Sequence, residues 1–203
     1  MGVSGIVLAG GRSSRMGRDK TLLVVENETL IERTVKELRR ITDEIIIASN
    51  ATAKYGLPGV REVPDVFPGM GPLGGLHAGL LAAQNDVVFA VAADMPCFTD
   101  KLAAYLLGRK GDHDAVVPRP GQEWEPLCAV YSRACAGPIE QCLRAGMKKV
   151  YSFYPAVKVL AVTGEELGAA GLPATMFFNL NAPEDLDLLR RGNGPEGGPE
   201  VSG

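Results

Sequence analysis

The residues best suited to chemistry lie in one run near the start of the chain, Leu8-Ala9-Gly10-Gly11-Arg12-Ser13-Ser14-Arg15-Met16-Gly17-Arg18-Asp19-Lys20. Adjacent glycines at Gly10 and Gly11 let the backbone turn sharply and bring several N–H groups to an anion with no Cβ in the way. Arg12, Arg15, Arg18 and Lys20 add positive charge along the same stretch. Such a loop suits a triphosphate better than a single carboxylate. It is neither of two familiar phosphate loops. Walker A needs G-x-x-x-x-G-K-[ST], whereas Gly11 and Gly17 stand six apart and Arg18 follows. The dinucleotide fingerprint G-x-G-x-x-G is absent too, because the glycines fall at 5, 10, 11 and 17. The same residues would also serve as a tight turn with a solvated basic edge.

A second centre is Asp94, which with Met95 and Pro96 follows the apolar run Asp86 to Ala93. A carboxylate at the end of a buried strand suits Mg²⁺, a hard cation often held by one or two carboxylates plus phosphates and water. The alternative, a helix cap or turn acid, competes with Thr99, which is placed to cap the helix that follows. Asn50 comes just after another strand-like run, where Ser49-Asn50 also reads as turn chemistry. Asp65 precedes Gly71-Pro72-Leu73-Gly74-Gly75. It can accept from a base or ribose, with the glycines opening a helix that a base could approach. That helix entry, with Pro72 in its first turn, is equally an ordinary one. Near the end, the amides of Asn179 and Asn181 suit a polar ring or phosphate, and Asn181 is equally a helix N-cap. Lys148 and Lys149 read as a solvated pair, and Trp124, His77 and His113 carry no discernible chemistry.

The elements that must position these groups alternate. Strands are expected at Gly5–Leu8, Glu44–Ala48, Val60–Val63, Asp86–Ala93, Ala115–Val117, Leu127–Tyr131 and Met176–Leu180. Helices are expected after Thr29, with a capping box to Glu32, over Leu73–Ala83, from Thr99 to about Leu107, from Ser132 through Leu143, and over Pro183–Arg191. Alternation with continuously apolar early strands indicates an α/β fold, Rossmann-like, with a mostly parallel sheet flanked by helices on both faces. Ligands bind such sheets at the carboxyl ends of the strands, which is where Leu8, Asn50 and Asp94 fall.

Composition narrows the class without selecting a function. The 203 residues suit one domain over 1–191, and periodicity disappears over 192–203, which reads as a disordered Gly/Pro tail. A net charge of −3 argues against binding nucleic acid or membrane through bulk charge. No apolar stretch approaches the ~20 residues that span a bilayer, and no secretory signal pattern opens the chain. Cys97, Cys128, Cys135 and Cys142 contain no C-x-x-C pair and read as core thiols in a reducing cytoplasm.

The string L-A-G-G-x-S-x-R-M-G-x-D-K, matched at Leu8-Ala9-Gly10-Gly11, Ser13, Arg15-Met16-Gly17 and Asp19-Lys20, resembles the signature loop of the nucleotidyltransferases that build the molybdenum cofactor, the guanylyltransferases in particular. Asp65 with Gly71–Gly75, Ala93–Pro96, Glu125-Pro126-Leu127, and Phe178-Asn179-Leu180-Asn181 with Pro183-Glu184-Asp185 resemble further segments of that family. Two features depart from it: the spelling Phe67-Pro68-Gly69-Met70-Gly71 and the Pro/Gly tail. The resemblance implies a nucleotide-diphospho-sugar transferase-like fold, with a nucleotide half over about 1–110 and a pterin half over about 111–191. It implies nucleotide contacts at Leu8, Ala9, Gly10, Gly11, Lys20, Asn50, Asp65 and Asp94, and catalytic roles for Arg15, Lys20 and Asp94. It further implies Mg²⁺ on Asp94, pterin contacts at Asn179 and Asn181, and a cytoplasmic enzyme. The partners implied are GTP and molybdopterin, with proteins of molybdenum insertion or cofactor delivery. Gly11 leans toward GTP, because cytidylyltransferase relatives carry L-A-A-G. Transfer from CTP or to a sugar phosphate, and a non-enzymatic GTP-binding delivery module, are the alternatives.

Overall fold

A computed structural model of the chain describes residues 2–10, 20–25, 27–50, 53–180 and 185. Its elements in order are β1 (Val3–Leu8), β2 (Val24–Val25), β3 (Glu28–Thr29), α1 (Leu30–Leu38), β4 (Glu44–Ala48), β5 (Val60–Val63), α2 (Pro72–Ala82), β6 (Val87–Ala92), α3 (Asp100–Gly108), β7 (Ala115–Arg119), β8 (Cys128–Ser132), α4 (Ala136–Arg144), β9 (Val159–Thr163) and α5 (Gly164–Ala169). Seven strands form one sheet in the order β5-β4-β1-β6-β8-β7-β9, and β2 and β3 make a separate hairpin. In the main sheet, pairing is parallel except where β8 runs antiparallel to both β6 and β7. The fold class read from the sequence is the one observed.

The reason is visible in the strands. Successive side chains point to opposite faces, and here both faces are covered. Val7, Ile45, Ile47, Phe89 and Val91 pack with Ile31, Val35 and Leu38 of α1, Leu102 and Leu106 of α3, and Leu167 of α5. Their neighbours Ile6, Leu8, Ile46, Val88 and Ala90 pack with Leu73, Leu76 and Leu80 of α2 and Ile139 and Leu143 of α4. Strands buried on both sides read as unbroken apolar runs, which is why EIIIA and VVFAVA were legible.

Local chemistry sets the ends. The Thr29 side chain accepts from the Glu32 N–H at 3.3 Å, and Glu32 Oε2 accepts from the Thr29 N–H at 2.8 Å, completing the expected capping box. Thr99 does occupy the N-cap of α3 but its side chain makes no capping bond. Glu37 of α1 accepts the Asp100 N–H at 3.1 Å instead, and the Thr99 hydroxyl is buried with no partner among the described residues. Two further sequence expectations change. Met176–Leu180 is not a strand: a 3-10 turn covers Ala174–Phe177, and Phe177 and Leu180 anchor in different clusters. Periodicity alone cannot tell a short apolar run of this kind from a strand. The helix expected from Ser132 begins as a 3-10 turn over Arg133–Cys135, capped by Ser132, before α4 takes over. The helix expected over Pro183–Arg191 and the tail lie outside the described residues, apart from Asp185, which is helical.

All strands of the main sheet but β8 end at one edge, and the backbone there stays zipped beyond the strands. Ala9 N donates to Ala48 O at 2.9 Å, Ser49 N to Val63 O at 3.0 Å, Ala93 N to Leu8 O at 3.1 Å and Ala92 N to Leu127 O at 2.7 Å. This edge carries the site. Among the described residues no helix is long and apolar enough to cross a membrane. Cys128 and Cys135 are buried, while Cys97 and Cys142 are partly so.

Candidate functional site

A cavity of about 700 Å³ opens at the carboxyl edge, lined by Gly10, Asn50, Pro64, Asp65, Pro68, Gly69 and Gly71. Three of the residues singled out in the sequence, Gly10 after β1, Asn50 after β4 and Asp65 after β5, therefore converge on one space. A Cβ built on Gly10 would stand 3.8 Å from Asn50 Nδ2. Leu8 and Ala9 contribute backbone to the same edge, with Leu8 buried beneath it. The far wall is the approach to α2. Gly71 caps that helix at φ 68°, a left-handed conformation suited to glycine. A Cβ on Gly74 would come within 3.1 Å of the Phe67 carbonyl, so this glycine lets the loop close on the helix. Asp65 rests against Gly74 and Gly75 at the positive end of α2. Its Oδ1 is buried and has no hydrogen-bond partner among the described residues, and burial pushes its carboxyl above the usual range. A buried acceptor left open in a cavity is suited to a ligand N–H or O–H.

Asp94 stands beyond β6 on the same edge, half-buried. Burial raises its carboxyl, and the Lys20 ammonium nearby works in the opposite direction. The two are tied through the backbone of one residue: Leu180 N–H donates to the Asp94 carbonyl at 2.9 Å, and Lys20 Nζ donates to the Leu180 carbonyl at 3.1 Å. The Leu180 side chain is fully buried with Val25 and Leu30, anchoring this link in the cluster under the β2–β3 hairpin. Nothing in the sequence marks Leu180, because its partners lie at 20 and 94 and the contacts use its backbone.

The Asp94 carboxylate takes a hydrogen bond from its own backbone N–H, with the Lys20 ammonium beside it. A single desolvated, hard oxygen donor, with a cation beside it, fits a divalent ion that fills its remaining positions with phosphate oxygens and water. No group of three His, Cys, Asp or Glu among the described residues forms an all-protein metal cage. Asn179 is partly buried beside Leu180, its amide donating to the Phe177 carbonyl at 3.3 Å. Gly11, Arg15 and Asn181 lie outside the described residues, as do Arg12 and Arg18.

Across the edge, Glu125 precedes β8; its N–H donates to the Pro118 carbonyl at 2.9 Å and burial raises its carboxyl. Trp124 packs edge-on against Tyr154 at 5.2 Å, with the Arg119 guanidinium 5.2 Å from its ring centre. Lys148 and Lys149 are exposed after α4, in keeping with a solvated pair.

Residues 5–159 match the family model of the MobA-like NTP transferase domain. A probable molybdenum cofactor guanylyltransferase of Pelotomaculum thermopropionicum is 43% identical over 187 residues, covering 92% of this chain and 91% of that protein. A molybdenum cofactor guanylyltransferase of Desulfosudis oleivorans is 33% identical, covering 91% and 93%. The crystal structure of molybdopterin-guanine dinucleotide biosynthesis protein A from Archaeoglobus fulgidus superposes with a TM-score of 0.77 at 25% identity, over 91% of this chain and 95% of that one. A 2-C-methyl-D-erythritol 4-phosphate cytidylyltransferase from Thermus thermophilus shares the fold, with a TM-score of 0.71 at 21% identity over 95% and 99%.

Proposed function

The chain belongs to the MobA-like NTP transferase family, and from that premise we propose that it transfers GMP from GTP to the terminal phosphate of molybdopterin, releasing pyrophosphate. It is a nucleotidyltransferase. The observation that carries the reading is the convergence of Gly10, Asn50 and Asp65 on one cavity, at the sheet edge that also carries the Lys20–Asp94 pair. About 700 Å³ is within the range of small-ligand sites.

In this proposal an oxygen of the acceptor phosphate forms a bond to the α-phosphorus while the bond to the β-phosphate bridging oxygen breaks in line. The acceptor is already ionised at neutral pH, so no general base is needed. The work is positioning and charge neutralisation. Backbone amides at Gly10 and Gly11 hold the phosphates, Leu8 and Ala9 lead the chain to that contact, and Asn50 and Asp65 hold the nucleoside. Lys20 and Arg15 neutralise charge that builds on the leaving pyrophosphate. Asp94 would hold Mg²⁺, which when bound supplies Lewis acidity and a template for the phosphate oxygens. Asn179 and Asn181 face the acceptor pterin in this reading, which makes the half beyond residue 110 the acceptor half. A cytoplasmic setting, where the free thiols stay reduced, and hand-over of molybdopterin by a cofactor-delivery protein belong to the same proposal.

The test is pyrophosphate release from GTP, CTP, ATP or UTP in the presence of molybdopterin and Mg²⁺. GTP is expected to be used preferentially, and Asp94→Ala to lower kcat by at least about 10²-fold, as loss of a charge-stabilising group does. Turnover of CTP but not GTP would overturn the guanylyl reading, and an unchanged Asp94→Ala rate would remove the metal role.

A further inference from the structure

One connection holds both ends of the glycine-rich loop. Where the loop leaves β1, Gly10 lies against the Asn50 side chain. Where it returns, Lys20 opens a 3-10 turn over Lys20–Leu22. The next residue, Thr21, is buried, and its hydroxyl lies 3.1 Å from the Tyr55 hydroxyl. Asn50 and Tyr55 belong to the same connection between β4 and β5. The Tyr55 ring packs against the core on the face of the sheet covered by α1 and α3, which limits where its hydroxyl can go.

That connection is tied down by one side chain of β5. Glu62 Oε2 accepts the Lys54 N–H at 2.8 Å, and Oε1 accepts those of Tyr55 and Gly56 at 3.0 Å each. Successive N–H groups turned to one point form an anion nest, and here the anion is the protein's own. The turn is strained at Ala53, which has φ 55°, while Gly56 takes φ 58° without cost. A left-handed alanine persists only where its surroundings over-determine it, and Glu62 provides that restraint. Neither Glu62 nor Tyr55 lines the cavity.

We propose that Glu62 and Tyr55 are positioning residues for nucleotide binding: Glu62 fixes the 54–56 turn, and Tyr55, through Thr21, fixes where Lys20 re-enters the fold. Together with Asn50 beside Gly10, this fixes the places where the chain enters and leaves the loop. Ordering done before binding is not charged against affinity. The inference rests on reading the loop as a nucleotide site.

Tyr55→Phe deletes only the hydroxyl. Glu62→Gln leaves one acceptor oxygen for three N–H donors and sets an amide against the rest. Each variant and the wild type are titrated calorimetrically with GTP, CTP, ATP and UTP in Mg²⁺ without acceptor, and kcat and KM are then measured with molybdopterin. Tyr55→Phe is expected to weaken nucleotide binding about five-fold, the worth of one hydrogen bond, and Glu62→Gln about ten-fold, because its bonds are charge-assisted. KM for the acceptor should not move in either. A fall in melting temperature with nucleotide affinity unchanged would overturn the proposal, since that is what a purely structural role gives. If Glu62→Gln does not fold, Tyr55→Phe decides alone. If the wild type takes CTP rather than GTP, the guanylyl reading fails, and the same comparison made with CTP still decides the positioning role. A wild type that binds no nucleotide overturns both.

Discussion

Asp65 and Asp94 are carboxylates held where desolvation opposes their charge, and they differ in what stands beside them. Asp94 has the Lys20 ammonium to offset its burial, whereas for Asp65 no such counter-charge works against burial among the described residues. The folded chain therefore holds a proton on Asp65 to higher pH than the unfolded chain, whose aspartates titrate near about 3.9. Between that value and the raised one folding takes up a proton, so stability falls as pH rises through the window and stays lowered at neutral pH. Asp65→Asn removes the buried charge. It is expected to raise Tm at pH 7, with the gain shrinking as melts are taken down into the carboxylate range, and to weaken nucleotide binding. A Tm at pH 7 that does not rise would mean the ionised group is compensated in the folded chain. Sites built for a ligand's polar groups often lower stability in this way.

At the scale of elements, a single residue decides how closely α2 lies on the sheet. A Cβ on Gly79 would lie 2.5 Å from Ile6 Cδ1 and 2.8 Å from its Cγ2. Gly79 thus lets α2 lie on β1 near the strand end that leads to Gly10. Gly79→Ala is expected to lower unfolding free energy by about 1–3 kcal/mol, the usual cost of overpacking. In urea titrations Ile6→Val, which deletes the nearest methyl, should cost less in the Gly79→Ala background than in the wild type. Strict additivity would show that the helix shifts rather than the side chain. Elements with strong local signals were readable: the α1 capping box at Thr29 and Glu32, and β4 and β6 as apolar runs. The same kind of signal stands at Thr163 and Glu166, which form a second capping box on α5, yet β9 and α5 were not expected. The first two β9 side chains, Val159 and Leu160, touch the cores only as partly buried groups and only Val162 is buried, so this edge strand lacks the continuous burial that marks the central ones.

At the scale of the molecule, the strand that departs from parallel order is the one that joins the two halves. β8 lies between β6 and β7, and both hydrophobic clusters draw residues from before and after residue 110: Val91 with Val130 on one face, Leu76 with Ile139 on the other. The parts of the chain before and after residue 110, which share both cores, are expected to unfold together. Trp124, the single tryptophan, reports on the second half by fluorescence, and far-UV circular dichroism reports on the whole chain. Their urea transitions should coincide; a separated tryptophan transition would make the halves independent domains. The sequence by itself determined the α/β class, the glycine-rich loop, and the strand ends that carry Asn50, Asp65 and Asp94, because apolar runs and short motifs are local signals. Only the tertiary structure decided that Leu180 links Lys20 to Asp94, that Glu62 closes the turn at 54–56, and that β8 runs against its neighbours. Those depend on backbone groups brought together from distant parts of the chain, and a backbone N–H or carbonyl has no letter in the sequence to mark it.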